Sequence, residues 1–209
     1  MQYFYDLSQK AFLVQGIHNI PQSAIPVLEK DYQLLISGRN NGREIVLMGN
    51  TLTLSSVRPS SYHTWTGTAW SISDEDKQVL LSQQQEQMRL AINTKRDQTD
   101  AGGVFVEALG KWVDSDEKAY QNILGVKASL DLLGDMDIPW TWADNTTSII
   151  NRTMLAVIVG ALLQAKQQNH ANALKHKKAM MAEDNPLDYD YSQGWSKTYA
   201  DHLAEVGNE

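Results

Sequence analysis

The spacing of apolar residues changes at Ser73, and that change limits what this chain can fold into more than any other feature. Upstream, apolar residues fall in short runs bounded by turn chemistry: Tyr3-Phe4-Tyr5, Ala11 to Val14, Glu44 to Met48, Thr51 to Leu54, Tyr62 to Trp65 and Ala69 to Ile72. These are strand lengths, rich in the aromatic and β-branched residues that suit a pleated, half-buried surface. Gly49-Asn50 and Thr66-Gly67-Thr68 separate two pairs of runs, which predicts antiparallel hairpins. One helix interrupts them. Leu28 to Ser37 places Leu28, Tyr32, Leu35 and Ile36 on one face, and Gly38 is positioned to end it.

Downstream of Ser73 the period is helical. Ser73 followed by Asp74-Glu75-Asp76 supplies an N-cap and an acidic first turn, predicting a helix from Asp74 to about Asp97. Its apolar stripe, Leu81, Met88 and Ile92, is narrow and set among Gln83, Gln84, Gln85 and Gln87, as in a connecting helix or one packed along a thin seam. After Ala101-Gly102-Gly103, Val104 to Glu107 and Lys111 to Val113 flank Leu109-Gly110 as a small hairpin. Asp114 to Glu117 has capping-box spacing, and Ala119, Ile123, Val126, Leu130 and Leu133 form one face of a helix ending near Leu133. Pro139 favours an extended Ile138, and Trp140 to Trp142 continue as a short strand. A last helix is expected over Ser148 to Met181, apolar in its first half from Ile150 to Ala165 and basic at its end. The tail from Glu183 carries seven acids and one lysine, with Tyr189, Tyr191, Trp195 and Tyr199 spread along it, as in an arm docked on the surface.

The expected class is therefore α+β. A small antiparallel β-rich domain with one short helix spans 1–72, a connecting helix 73–98, a mainly helical module with a β-hairpin 99–182, and an acidic tail 183–209. A chain of 209 residues suits one medium domain or two small ones.

Composition removes several chemistries. With no cysteine there is no disulfide framework, thiolate metal site or cysteine nucleophile. Residues 1–70 carry 5 basic and 4 acidic side chains against 13 and 21 in the remainder, which argues against broad binding to nucleic-acid backbones. The absence of cysteine makes an intracellular folding environment the simplest expectation, and the N-terminal sequence lacks the cationic start and apolar core of a secretory signal. Thr153 to Ala165, the longest uncharged apolar stretch, falls short of the ~20 residues that cross a bilayer. Asn145-Thr-Thr and Asn151-Arg-Thr match the glycosylation pattern, but so short a motif recurs by chance and is set aside.

No catalytic constellation emerges, and no cofactor or metal is expected. No two of His18, His63, His170, His176 and His202 have the i, i+4 spacing of paired helical ligands. Asp131, Asp135 and Asp137, and Asp188 and Asp190, lack the order and central glycine of a calcium loop and read as turn and cap residues. Lys175 to Lys178 fall where unpaired carbonyls favour cations at a helix end. The aromatic residues carry more. Six Trp stand against three Phe, and Tyr62, Trp65 and Trp70 surround one tight hairpin. Trp and Tyr combine contact area with a polar handle, so these three residues, with Leu81 and Met88 on the narrow helix, are the candidate partner contacts.

Residues 1–54 resemble bacteriophage tail-fibre assembly proteins of the lambda and Mu kind. The resemblance lies in Tyr3-Phe4-Tyr5 with Ala11-Phe12, Ile20-Pro21-Gln22-Ser-Ala24, Tyr32 to Leu35, Ser37-Gly38-Arg-Asn-Asn-Gly42-Arg43 and Ile45. From about Lys95 to Lys178 the chain resembles an uncharacterised module attached to tail-fibre-associated phage proteins. The matching positions are Gly102-Gly103 with Phe105, Gly110-Lys111, Asp114-Ser-Asp116-Glu117, Trp140, Ala143-Asp144-Asn145, and His170 with His176. Two positions depart from these patterns: Arg58-Pro59-Ser60-Ser61 stands where a Pro-rich bridge is usual, and Ala108-Leu109-Gly110 where the hairpin turn is usually polar. The resemblance implies an ATP-independent chaperone, not an enzyme, working in the host cell cytoplasm. Its partner would be the distal, C-terminal part of a trimeric tail fibre, with self-association open and no role for nucleic acid or membrane. The alternative implied is a structural component kept on the virion at the fibre tip, in contact with the host receptor.

Overall fold

The computed structural model describes residues 1–207. Strand β1 (Tyr3–Asp6) lies between β2 (Ala11–Val14) and β3 (Ile25–Val27) in an antiparallel sheet, with Tyr3 opposite Val14 and Val27. Asp6 shapes the β1–β2 turn: its carboxylate accepts from the Ser8 amide at 2.8 Å and the Ser8 hydroxyl at 2.7 Å. Sequence reasoning missed β3 because Pro26 interrupts it. Proline is tolerated there because β3 is an edge strand, where a lost N–H breaks no inner ladder.

Helix α1 (Glu29–Asn40) covers this sheet through Tyr32 and Leu35. Tyr3 stacks on Tyr32 with ring centres 4.1 Å apart, and Phe12 meets Tyr32 edge-on at 4.8 Å. Gly38 does not end the helix, as the sequence suggested; the left-handed glycine is Gly42, at φ 74°. Gly38 instead gives room inside the helix: a Cβ there would stand 2.2 Å from Leu54 Cδ1. Leu54 belongs to the hairpin of β4 (Ile45–Met48) and β5 (Thr51–Leu54), which turns at Gly49 with φ 62°. Strands β6 (Thr64–Trp65) and β7 (Trp70–Ser71) form a ribbon shorter than the runs expected at Tyr62–Trp65 and Ala69–Ile72.

Helix α2 (Asp74–Asp100) begins where expected and runs past Asp97. The Ser73 hydroxyl accepts from the Asp76 amide at 3.0 Å and donates to its carboxylate at 2.7 Å, a reciprocal cap. The chain divides into two compact units, Met1–Leu80 and Leu81 onward, and the division falls within α2.

In the second unit β8 (Val104–Val106) and β9 (Lys111–Val113) form the expected hairpin, closed by Gly110 at φ 61°. Helix α3 (Glu117–Leu133) is capped by Asp116, which accepts from the Ala119 amide at 2.8 Å, and not by Asp114. Asp114 and Ser115 stay outside it because the Ser115 hydroxyl donates to Asp100 O at 2.6 Å and accepts from the Gly103 amide at 2.9 Å. Ile123 and Leu130 are buried as predicted, whereas Leu133 is 67% exposed, being the last helical residue before the turn at Gly134. Next come β10 (Ile138–Thr141) and β11 (Thr147–Ile150), an antiparallel pair. The last long helix, α4 (Arg152–Met180), therefore starts later than Ser148. Thr147, Ile149 and Ile150 are β-branched and pair with β10, and Asn151 caps α4 by accepting from the Met154 amide at 3.0 Å. Arg152 then binds the end of α3, donating to Leu130 O at 2.5 Å and Asp131 at 2.8 Å, and to Asp135.

The chain beyond Met181 is the docked arm that its aromatic residues predicted. It runs antiparallel along α4, where Asn169, Asn172 and His176 form a polar ladder. Asn169 donates to Asp100 at 2.8 Å and to the Ser196 hydroxyl at 2.9 Å, and accepts from the Ser196 amide at 2.9 Å. Asn172 and His176 both reach Gln193 O, at 2.9 and 2.8 Å. Tyr189, Tyr191 and Trp195 cover Met88, Ile92, Ala173 and Met180. Farther on the arm crosses Gly102 and Gly103, where the Tyr199 amide donates to Gly102 O at 2.8 Å and a Cβ on Gly102 would stand 2.5 Å from Thr198 Cγ2. Helix α5 (Tyr199–Val206) closes the described chain, with Thr198 and Asp201 forming a capping box. The tail drawn over 183–209 also takes in Asn208 and Glu209, which lie outside the described residues. The architecture is α+β, with small antiparallel sheets and five helices among the described residues. No helix among them is long and apolar enough to cross a membrane.

Candidate interaction surfaces

The structure brings Trp65 and Trp70 together across β6 and β7, their rings edge to face at 5.3 Å and 67°. A two-stranded ribbon this short does not hold itself, so its neighbours must. Trp70 donates its indole N–H to Ser56 O at 3.0 Å, and the Arg58 guanidinium lies 5.9 Å from the Trp70 ring. Arg58 also donates to His63 O at 2.8 Å and Ser61 O at 2.6 Å, which fastens the preceding loop to the ribbon. Tyr62, Trp65 and Trp70 are each half-buried. The Trp65 indole nitrogen is buried with no acceptor.

The two candidates on α2 separate. Leu81 is half-buried, but Met88 is 5% exposed and packs with Ile92, Ala173 and Met180. The narrow stripe is the seam that α4 and the arm cover, and Met88 has no surface left for a partner.

A surface that sequence reasoning passed over lies on α3. Tyr120, Leu124 and Leu132 are 52%, 41% and 84% exposed, and with exposed Ala128 they make an i, i+4 series beside the buried face. The spacing was present in the sequence, but a helix with two apolar faces yields to the first one counted. Between α3 and β10 runs an open groove of about 750 Å3, lined by Val126 and Ile138 among others. A second cleft, of about 510 Å3, lies where Phe105 and His202 flank the Trp112 ring at 5.5 and 5.4 Å.

Several of the polar candidates have structural partners. His176 is buried against the arm and His170 is exposed. The Lys127 ammonium and then the Arg152 guanidinium hold the Asp131 carboxyl below the usual carboxylate range, and Asp131 and Asp135 together raise Arg152. Asp188 accepts from Asn185 at 2.7 Å, and Asp190 from the Ser192 amide at 2.8 Å. The Asp144 carboxyl in the β10–β11 turn is brought down to about 2, by the Thr146 hydroxyl first and Lys111 next. Among the described residues no three His, Asp or Glu side chains gather as metal ligands.

No curated protein and no solved structure matches this chain. Residues 83–193, from α2 through α3 and α4 into the arm, match a family model described as a domain of unknown function, DUF4376. That span is more than half of the chain, and it takes in the α2–α4 seam and the groove between α3 and β10; the chain belongs to the DUF4376 family.

Proposed function

We propose that this protein is a tail-fibre assembly chaperone, working by contact alone on newly made fibre chains in the cytoplasm of an infected host. The observation that carries this reading is the apolar series Tyr120, Leu124 and Leu132 on α3, exposed on a helix that already buries another face. Apolar surface gathered in this way marks a site of protein contact. The half-buried Tyr62, Trp65 and Trp70 add aromatic contact area in the first unit.

Such a client has a physical need for help. Intertwined β-rich trimers depend on non-local pairing, which forms slowly and leaves strand edges and apolar surface open meanwhile. A protein that covers those surfaces at the distal end of the fibre holds three chains in register using binding energy. The resemblance of residues 1–54 to fibre-assembly proteins supports the same reading.

The test is co-expression of the fibre protein encoded beside this one with wild-type chain, with Leu124→Asp/Leu132→Asp, or with neither. A soluble trimer with wild type and aggregated fibre in the other two cultures is the expected result. Equal yields of soluble trimer in all three would overturn the reading. Mass spectrometry of purified particles then separates a chaperone, absent from them, from a component retained at the fibre tip.

A further inference from the structure

We infer that the groove between α3 and β10 is a binding site for an extended polypeptide segment that alternates apolar and basic side chains. The inference is independent of the fibre reading.

The first observation is the chemistry of the walls. Val126 and Ile138 give the lining apolar surface beside the uncharged Gln121 and Asn122, and the charged groups among the lining residues are Asp114 and Asp137, with no cation. A carboxylate beside an apolar surface favours an ammonium or guanidinium partner whose alkyl stem covers that surface.

The second is the backbone of β10. Trp142 donates its amide to Thr146 O at 2.9 Å, so by the alternation of antiparallel strands Trp140 and Ile138 also face β11, while Pro139 and Thr141 turn outward. No residue of β11 lines the groove, which runs beside the outward edge of β10 at Pro139 and Thr141, short of Ala143, whose amide already donates to Trp112 O at 3.1 Å. Pro139 has no N–H to offer, so that edge is richer in carbonyl acceptors than in amide donors. It suits the N–H groups of an extended segment better than it suits a second copy of a regular strand. Trp140, which also lines the groove, is 8% exposed and its indole N–H has no acceptor.

The third is Gly125. A glycine inside a helix costs about 0.5–1 kcal/mol relative to alanine, and close packing usually explains it. Here a Cβ would meet nothing within 4 Å, yet Gly125 lines the groove. The open space above it is where a bound chain crosses α3 most closely.

The probe is a short acetylated, fluorescently labelled peptide alternating valine and lysine, titrated against the full-length protein and followed by anisotropy. Wild type should bind it, and a peptide with glutamate for lysine should not bind. Asp114→Asn/Asp137→Asn should weaken binding by about tenfold or more. Gly125→Phe should abolish binding with no loss of thermal stability, since the added ring enters open space. Glu183→Gln/Asp184→Asn removes the same charge from the arm and should bind as wild type does. The inference is overturned if wild type fails to bind, if both peptides bind alike, if Gly125→Phe binds normally, or if the arm variant weakens binding as much as the groove variant.

Discussion

The imidazole of His176 lies 2.8 Å from the Tyr189 hydroxyl through Nδ1 and 2.8 Å from Gln193 O through Nε2. A carbonyl only accepts, so Nε2 carries the hydrogen that points to Gln193 O. The ring also lies against Trp195 at 5.6 Å and 23°. His176→Phe keeps that stacking and removes both hydrogen bonds, leaving two polar groups of the arm without this partner. The expected cost is about 1–3 kcal/mol. Hydrogen exchange should quicken in the arm and stay unchanged in α3; unchanged protection around Tyr189 would show that the clasp does not hold the arm.

Two helical glycines should respond in opposite directions. Gly38→Ala drives a methyl into Leu54 and is expected to destabilise the first unit by about 1 kcal/mol or more, even after the gain in helix propensity. Gly125→Ala enters open space and should stabilise by about 0.5–1 kcal/mol. Urea denaturation of both variants, with Gly38→Ala repeated in a Leu54→Ala background, checks the mechanism. A cost at Gly38 that persists without the Leu54 side chain would count against the steric account.

These glycines also show what the sequence could and could not convey. Helices α2 and α3 were legible because Ser73 and the spacing of Ile123, Val126 and Leu130 are local signals. Gly38 was misread because a glycine that ends a helix and one that makes room for a neighbour look alike until Leu54 is placed beside it. Strand β11 was hidden for a related reason: Ile149 and Ile150 fit a helix as well as a strand, and the pairing with β10 decides. Trp65 and Trp70, near each other in sequence, meet across β6 and β7. Met88 could not be sorted into seam or surface without the arm, whose docking depends on residues far along the chain.

The β10–β11 turn should carry an acid-sensitive contribution to stability. Asp144 titrates at about 2 in the fold against an ordinary value of 3.8, so the fold favours its charged form. That contribution is fully present above the unfolded value and is lost as pH falls from there toward about 2. Thr146→Val removes the largest cause, the hydroxyl bond, and should move the Asp144 carboxyl titration upward in an NMR pH series. A titration that stays at about 2 would show that Lys111 and the Thr146 amide carry the shift without the hydroxyl.

Asn169 should tolerate little change. Asn169→Leu keeps the volume but strips the partners from Asp100 and from the Ser196 amide and hydroxyl. A loss of about 2–3 kcal/mol is expected, because one partner is charged. Limited proteolysis should cut between Ser192 and Lys197 first; a cut confined to other loops would argue against a role for Asn169 in seating the arm.

The ladder of Asn169, Asn172 and His176 makes one face of α4 a ruler against which the arm is measured. If the arm slipped by one residue, Trp195 or Lys197 would stand where Ser196 now meets Asn169, and the glycine that clears Asn172, Gly194, would give way to a residue whose Cβ would lie within about 2.5 Å of the Asn172 amide oxygen. The apolar contacts of Tyr191 and Trp195 could absorb such a slip with modest loss, but the amides could not. Insertions or deletions should therefore be accepted between Ala182 and Asn185, before the first graduation is reached, and rejected between Tyr189 and Ser196, where chain length itself is what the helix reads.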